Sequence, residues 1–364
     1  MIKAETSAAS GRRVYVDAMK GLGILLVVLG HFSEAYRADS PLYHASLFDA
    51  GFTCIYMFHM ALFCLASGLV AKLNVKKFIG QQLWLYLISQ ALMVAVRVVV
   101  MQDNIAAESG GWAGAFLLPW RQMWYLYALL FWELTVPLLS ALRRRLGLWG
   151  GVLGVGAALA LGLLAGLREW PLALDRVLAF YPFYALGVLF RPEIDRWFRA
   201  ARQARPVRPL LALALTAVYG SWFFKLCRLS APFFTAGPIW QDRPYAAGYG
   251  MGDRAVFYLT GILTALALLA VLGGSRPLAS LGRRTLPVFI LHMPVLVFLQ
   301  QLGTYEPPKA HGTLAVLGWV LFLSGGTVCL LASGPVCAAF TGLANLWYKT
   351  LPGLAARAKQ PPAP

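Results

Sequence analysis

The first strongly apolar stretch of this 364-residue chain carries a lysine and a histidine eleven positions apart. An α-helix turns about 100° per residue, so Lys20 and His31 would lie within about 20° of one another and about 16 Å apart along the axis. Asp17 and Glu34 fall within about 60° of the same stripe. Ionisable groups inside a membrane span are energetically costly, so this stripe is a candidate functional site.

Further titratable groups interrupt other apolar stretches, namely His59, Arg97, Glu133 and His292. Counting inward from the ends of the stretches puts His31, His59 and Arg97 at similar depths, which predicts a shared polar cavity. Each group could instead satisfy a neighbouring helix by hydrogen bonding. An imidazole can take a proton from a hydroxyl at neutral pH, and that hydroxyl could then attack a thioester carbonyl. A proton-coupled transporter would use the same groups, so both functions stay open here.

Composition places these groups in a membrane. Hydrophobic residues make up 59% of the chain and charged residues 13%, whereas soluble domains are about 45–50% apolar and about 25% charged. About 20 apolar residues cross a bilayer core, and ten segments qualify. The predicted fold is therefore all-α and polytopic, with an interfacial helix near 336–348 and spans at 18–36, 51–71, 83–101, 122–141, 148–167, 174–190, 209–226, 255–273, 285–303 and 312–334.

The net charge of +17 has a topological explanation. Lysine and arginine concentrate in alternate loops, and the positive-inside rule then places both termini in the cytoplasm. No nucleic-acid partner is needed to explain the charge. The five cysteines fit no metal-ligand or disulfide spacing, so no metal is predicted. We expect one membrane domain over 1–348 and a short cytoplasmic tail over 349–364.

Five short motifs, in order over about residues 13–300, resemble the acyltransferase 3 family of membrane acyltransferases. The run YVDAMKGLGILLVVLGH, ending at His31, resembles the family's first-helix signature of a basic residue, ten others and a histidine. MFHMALFCLASGLV, which contains His59 and Ser67, resembles its second-span motif. MWYLYALL, with Trp124, is similar to its Trp-Phe-Leu motif. YPFYALGVLF and VFILHMPVL, the latter with His292, match later blocks.

The resemblance implies transfer of an acyl group from acyl-CoA to a sugar, with His31 as catalytic base and Lys20 as its positively charged partner on the donor side. Acetyl-CoA would be a co-substrate, with no permanently bound cofactor. Transfer could be direct or pass through an acyl-enzyme on Ser67 or His31. Glutamines stand where the family has an arginine pair after the second span. Lys76, Lys77 and the Arg143 to Arg145 run could bind the CoA phosphates instead, or serve only as topological anchors.

The resulting prediction is a multi-pass O-acetyltransferase of a bacterial inner membrane, with membrane lipid, acetyl-CoA and a saccharide acceptor as partners. The acceptor would be exopolysaccharide or its lipid-linked repeat unit, and the length and N-terminus resemble single-domain members that acetylate the mannose of xanthan. The alternative is a transporter or flippase of lipid-linked saccharide, although no inverted repeat is visible. Besides His31 and Lys20, the candidate lining residues are Asp17, Glu34, His59, Ser67, Lys76, Lys77, Arg97, Trp124, Glu133 and His292.

Overall fold

The computed structural model describes residues 13–34, 45–105, 111–228, 244–245, 249–306 and 311–350, without side chains at 45–49, 226, 228 and 344–350. These residues form helices and contain no β-strand, which confirms the all-α prediction. In chain order the main helices are α1 (Val14–Glu34), α2 (Ala45–Tyr56), α3 (His59–Val70), α4 (Val75–Met101), α5 (Trp112–Leu117), α6 (Trp124–Leu164), α7 (Leu174–Leu189), α8 (Arg191–Gln203), α9 (Val207–Arg228), α10 (Met251–Leu272), α11 (Arg276–Gly282), α12 (Thr285–Gln301), α13 (Thr313–Leu331) and α14 (Gly334–Thr350).

The number of membrane spans follows from helix length. Eight stretches of the described chain are long and apolar enough to cross a bilayer, and the pair α11 and α12, bent by 71°, adds a ninth. One of the eight, Arg121–Leu167, has 47 residues and would be about 70 Å long if straight. It holds two of the predicted spans, so the ten-span prediction agrees with the structure.

The two spans of α6 are joined at Gly147, where the backbone adopts φ 57° and ψ −133°. Glycine reaches this left-handed region without the steric cost that a side chain brings. The chain reverses there, because the carbonyl oxygen of Leu142 contacts Gly150 and the side chain of Leu142 packs near Gly154. Arg143 closes the turn by donating from a guanidinium nitrogen to the Gly147 carbonyl oxygen, 2.9 Å away.

Helix α1 lies at the centre of the bundle and contacts α2, α3, α10, α11, α12 and α13. Two glycines allow α1 and α11 to approach closely, since Gly21 lies against the Leu278 carbonyl and Gly282 against the Asp17 carbonyl. Small residues at crossings let helix backbones meet inside a membrane, where packing drives association. This close packing holds the predicted stripe of α1 in a fixed orientation.

The second predicted span is broken in its middle. Helix α2 ends at Tyr56 and α3 begins at His59, with a turn at Met57 and Phe58 between them. Beyond the break, Gly68 of α3 packs against the carbonyl of Tyr184 on α7. The break therefore places Tyr56 and His59 beside α1, while the end of α3 stays fixed against α7.

Candidate active site

His31 lines a cavity of about 220 Å³ near the carboxyl end of α1. The break of the second span contributes to its wall, and so do the residues just before α6 and the first half of α7. The wall combines imidazoles, aromatic rings and charges of both signs with a few aliphatic and neutral polar side chains. The lining residues are Val27, His31, Glu34, Phe52, Tyr56, His59, Met60, Arg121, Gln122, Trp124, Arg176, Phe180 and Phe289.

Behind the cavity, the imidazole of His31 contacts a second histidine. His31 Nδ1 lies 2.8 Å from His292 Nε2, and the two rings are nearly parallel, with 7° between their planes. His292 is completely buried, and its Nδ1 lies 2.9 Å from the Val288 carbonyl oxygen, one turn earlier in α12. Two histidines 261 positions apart thus form one continuous hydrogen-bonded row that ends at the cavity.

His59 faces the same cavity from the start of α3. Its Nδ1 lies 2.9 Å from the carbonyl oxygen of Ile55 across the break, and its ring packs against Tyr56, with centroids 4.5 Å apart. The break in the second span therefore has a local hydrogen bond that fixes the imidazole. The similar predicted depths of His31 and His59 in their spans indicated a shared cavity, and the structure brings both side chains to its wall.

Two arginines that were not predicted as site residues also line this cavity, because the positive-inside rule treats loop arginines only as topological charges. Arg121, at the approach to α6, is 3.8 Å from the Glu34 carboxylate and has a φ of +46°. Such a φ is uncommon for a residue with a side chain and occurs where surrounding contacts enforce it. Arg176 lies 5.6 Å from the centre of the Trp124 ring. In the sequence, the position of Arg121 near Trp124 and that of Arg176 near the start of α7 were the indications that these arginines could belong to the site.

Other predicted residues lie elsewhere. Arg97 is buried and pairs with Asp103 through a 2.9 Å contact, and its guanidinium also lies over Trp120. Glu133 accepts a 2.7 Å hydrogen bond from Gln82 on α4. The structure therefore places Arg97 and Glu133 among the helices around the cavity and not on its wall.

Ser67 also lies away from the cavity wall, inside the bundle. Its hydroxyl is 2.5 Å from the hydroxyl of Tyr125, which packs edge-on against Phe63 and Phe289. Phe289 lines the His31 cavity. Tyr125 and Phe289 thus separate Ser67 from that cavity in this structure.

The remaining predicted residues lie toward the other end of the bundle. Asp17 and Lys20 occupy the first turns of α1, where Asp17 is buried and Lys20 half-buried. Lys76 and Lys77 are exposed at the start of α4, where the Asn74 side chain accepts from the Lys77 amide. The structure separates these four residues from the cavity by most of the length of α1 and α3.

Comparison of the sequence with known proteins identifies its family. Residues 13–337 match the acyltransferase domain of the acyltransferase 3 family. The chain belongs to the acyltransferase 3 family. The match spans α1 through the first residues of α14, so it includes both the His31 cavity and the basic first turns of α1. Acyl transfer is the activity that the family is named for, and this chain is a multi-pass membrane protein by fold and a member of that family by sequence.

One individual protein is similar to part of the chain. Nodulation protein NolL of Sinorhizobium fredii (strain NBRC 101917 / NGR234) is 29% identical over 203 residues. The alignment covers 52% of this chain and 52% of that protein, so the chain spans about half the length of the curated relative it matches. No solved structure matches the chain.

For an acyltransferase 3 protein, a second cavity is also relevant. It has a volume of about 610 Å³ and follows α3 at Ala71, and its basic lining residues are Lys72, Arg143, Arg144 and Arg191. Ala71 lies twelve positions after His59, about 18 Å by helix rise. Arg191 donates to the carbonyl oxygens of Gly68 and Ala71. The basic cavity is thus built on the end of α3 opposite to His59.

Proposed function

We propose that the protein transfers an acetyl group from acetyl-CoA to a hydroxyl of a saccharide, with His31 as the general base. The observation that carries this proposal is the His31 cavity itself. It combines an imidazole with flat aromatic rings and both signs of charge, which is a suitable lining for a polyhydroxylated acceptor. Family membership supplies the reaction class, and the cavity supplies the place where a hydroxyl can meet a base.

In the proposed reaction the imidazole of His31 removes the proton from the acceptor hydroxyl. The oxygen forms a bond to the thioester carbonyl carbon, and a tetrahedral intermediate results. Its collapse breaks the carbon–sulfur bond, and the CoA thiolate takes the proton back from the imidazolium. The products are the saccharide ester and free CoA, and His31 returns to its starting state. Such proton transfer contributes typically about 10²–10⁴-fold to a rate.

On the acceptor side, the rings of Trp124 and Tyr56 offer apolar faces for a sugar ring. Glu34, Arg121 and Arg176 offer acceptors and donors for its hydroxyls. A site made from a few placed polar groups on an aromatic wall is typical of small-molecule recognition. We propose exopolysaccharide or its lipid-linked repeat unit as the acceptor, and the mannose of xanthan as the narrowest candidate.

On the donor side, the basic cavity fits the phosphates of CoA. Arginine matches phosphate geometry through paired N–H groups, and lysine adds a point charge. Lys72 and Arg144 are exposed at this cavity, so both can reach a ligand. Lys20 lies toward the end of the bundle that holds the basic cavity, about 16 Å from His31 by helix rise. We propose that the basic end faces the cytoplasm of a bacterium and that the protein resides in the inner membrane.

The test is a transfer assay with the purified protein and acetyl-CoA labelled in its acetyl group. Polysaccharide and lipid extracts from a strain that lacks the protein provide unmodified acceptor, including xanthan where the strain makes it. We expect label in an alkali-labile ester on saccharide, and no label with His31→Ala. Labelled acetyl-CoA that is never consumed would contradict the proposal. Movement of lipid-linked saccharide across vesicles without acetylation would favour a transporter instead.

A further inference from the structure

The row of hydrogen bonds behind the cavity determines where the protons of its two histidines lie. A carbonyl oxygen can only accept, so the 2.9 Å contact between His292 Nδ1 and the Val288 carbonyl requires a proton on Nδ1. His292 is completely buried, and within the described part of the chain its two ring nitrogens contact His31 and the Val288 carbonyl oxygen, neither of which is a carboxylate. A second proton would place an uncompensated charge there at high cost. His292 is therefore neutral, and its Nε2 carries a lone pair.

The tautomer of His31 follows from that lone pair. His292 Nε2 can only accept, so His31 Nδ1 must donate across the 2.8 Å contact. A neutral imidazole carries one proton, which leaves His31 Nε2 without one. His292 does not line the cavity, whereas His31 does. The ring nitrogen of His31 that remains for the cavity is thus the unprotonated one, which is the form that a general base needs.

We infer that His292 is a positioning residue that fixes the catalytic tautomer and ring orientation of His31. The inference rests on the proposed function of His31 as a base. When His31 gains the hydroxyl proton on Nε2, its Nδ1–H still donates to His292 Nε2, and the positive charge acquires a hydrogen-bonded partner. No carboxylate is required for this arrangement. The backbone carbonyl of Val288 orients His292, which in turn orients His31.

The packing of both rings gives the row its rigidity. The two imidazoles are nearly parallel, and the Phe289 ring packs on His292, with centroids 6.2 Å apart. Helix α12, which carries His292 and Val288, contacts α1 directly. The orientation of the base is thus determined by the contact of two helices and not by the cavity wall alone.

Three substitutions at His292 test the positioning role through kinetics. His292→Leu removes the nitrogen that accepts from His31 Nδ1, so His31 can adopt the tautomer with its proton on Nε2. We expect kcat to fall at least about a hundredfold, while KM for donor and acceptor changes less than about threefold. Glutamine has a carbonyl oxygen that can accept from His31 Nδ1. We therefore expect kcat of His292→Gln to be at least about tenfold higher than kcat of His292→Leu. Asparagine is shorter and should recover less.

Met293→Leu is the matched control, because Met293 is the next buried residue of the same helix and the change conserves volume. It should leave kcat within about twofold of the parent. Thermal unfolding of all four variants identifies any that fail to fold. Equal kcat values for the leucine and glutamine variants, or a leucine variant within threefold of the parent, would overturn the inference.

A second measurement needs no substrate and remains valid if the proposed reaction is wrong. Nitrogen-15 NMR of labelled imidazoles in lipid distinguishes protonated from unprotonated ring nitrogens, and the His31→Phe variant assigns the signals. We expect a protonated Nδ1 and an unprotonated Nε2 on His31, and a loss of this preference in His292→Leu. A proton on His31 Nε2 in the parent would refute the positioning role. Absence of acetyl transfer with the expected spectrum would refute only the proposed function.

Discussion

Arg176 of α7 lies over the ring of Trp124 at the start of α6, 5.6 Å from the ring centre, where both side chains line the His31 cavity. The stack places a fixed positive charge and a flat aromatic surface side by side. A cation over tryptophan contributes about 0.5–2 kcal/mol, so each side chain stabilises the position of the other. The pair is the most specific feature of the proposed acceptor site.

Loss of the Trp124 ring should weaken acceptor binding. We expect Trp124→Ala to raise KM for the saccharide by up to about tenfold, because an aromatic contact contributes about 0.5–1.5 kcal/mol, with KM for acetyl-CoA unchanged. Trp170→Ala is the control, since Trp170 stacks with Arg168 at 4.3 Å in the same manner but lies outside the cavity. Steady-state kinetics with both substrates varied distinguishes the two variants. Equal effects from the two would remove Trp124 from the acceptor site.

Removal of the His31 imidazole should abolish transfer without unfolding the protein. We expect His31→Ala to lower kcat by about 10²–10⁴-fold, the usual contribution of a general base. Size-exclusion profiles and thermal unfolding should remain close to those of the parent, since alanine is a good helix former. Activity within about tenfold of the parent would mean that another group acts as the base.

The charge of Lys20 should matter for the donor and not for the acceptor. Lys20→Met keeps most of the side-chain length and removes the charge, and we expect acetyl-CoA affinity to fall by roughly ten- to a hundredfold, since hydrogen bonds to charged groups contribute about 1.5–3 kcal/mol. Lys20→Arg keeps the charge and should retain substantial activity. Calorimetry with acetyl-CoA in detergent measures both. Undiminished affinity in Lys20→Met would leave Lys20 as an interface anchor.

The close crossing of α3 and α7 should not tolerate a side chain. A Cβ at Gly68 would contact the Tyr184 carbonyl oxygen, and a Cβ at Gly187 would contact that of Leu65. We expect Gly68→Ala to destabilise the protein by about 1–3 kcal/mol, visible as a lower Tm. Gly318→Ala is the control, because a Cβ there would meet no described atom within 4 Å beyond its own stretch of helix, and the change should be neutral or stabilising. Identical Tm values for the two variants would contradict this packing.

Helix periodicity and hydropathy predicted the parts of the fold that depend on short-range physics. The Lys20 to His31 stripe is a property of one helix, and the ten spans follow from the distance across a bilayer. The turn at Gly147 was expected between two spans, but its hairpin form depends on a left-handed backbone that the sequence indicates only by a glycine.

The candidate site was predictable only in part, because it depends on which helices meet. His31 and His292 are 261 positions apart, and no local pattern pairs them. Arg121 and Arg176 looked like ordinary loop charges, since their membership of the cavity follows from the packing of α6 and α7 against α1. Arg97 has a local partner six residues later, Asp103, which a depth argument ignores. Depth in the membrane does not determine which way a side chain faces.

The hairpin at Gly147 also bears on how the protein responds to its lipid. Trp149 is 74% exposed directly after the turn, and Arg143, Arg144 and Arg145 precede it. Indole rings and arginines favour the headgroup level, so this tip fixes the height of two spans relative to one bilayer surface. A thinner or thicker hydrocarbon layer is then accommodated elsewhere, by tilt of the other helices or by local deformation of the bilayer. We therefore expect the depth of His31 below the opposite surface, and with it the proposed activity, to change with the acyl-chain length of the surrounding lipid.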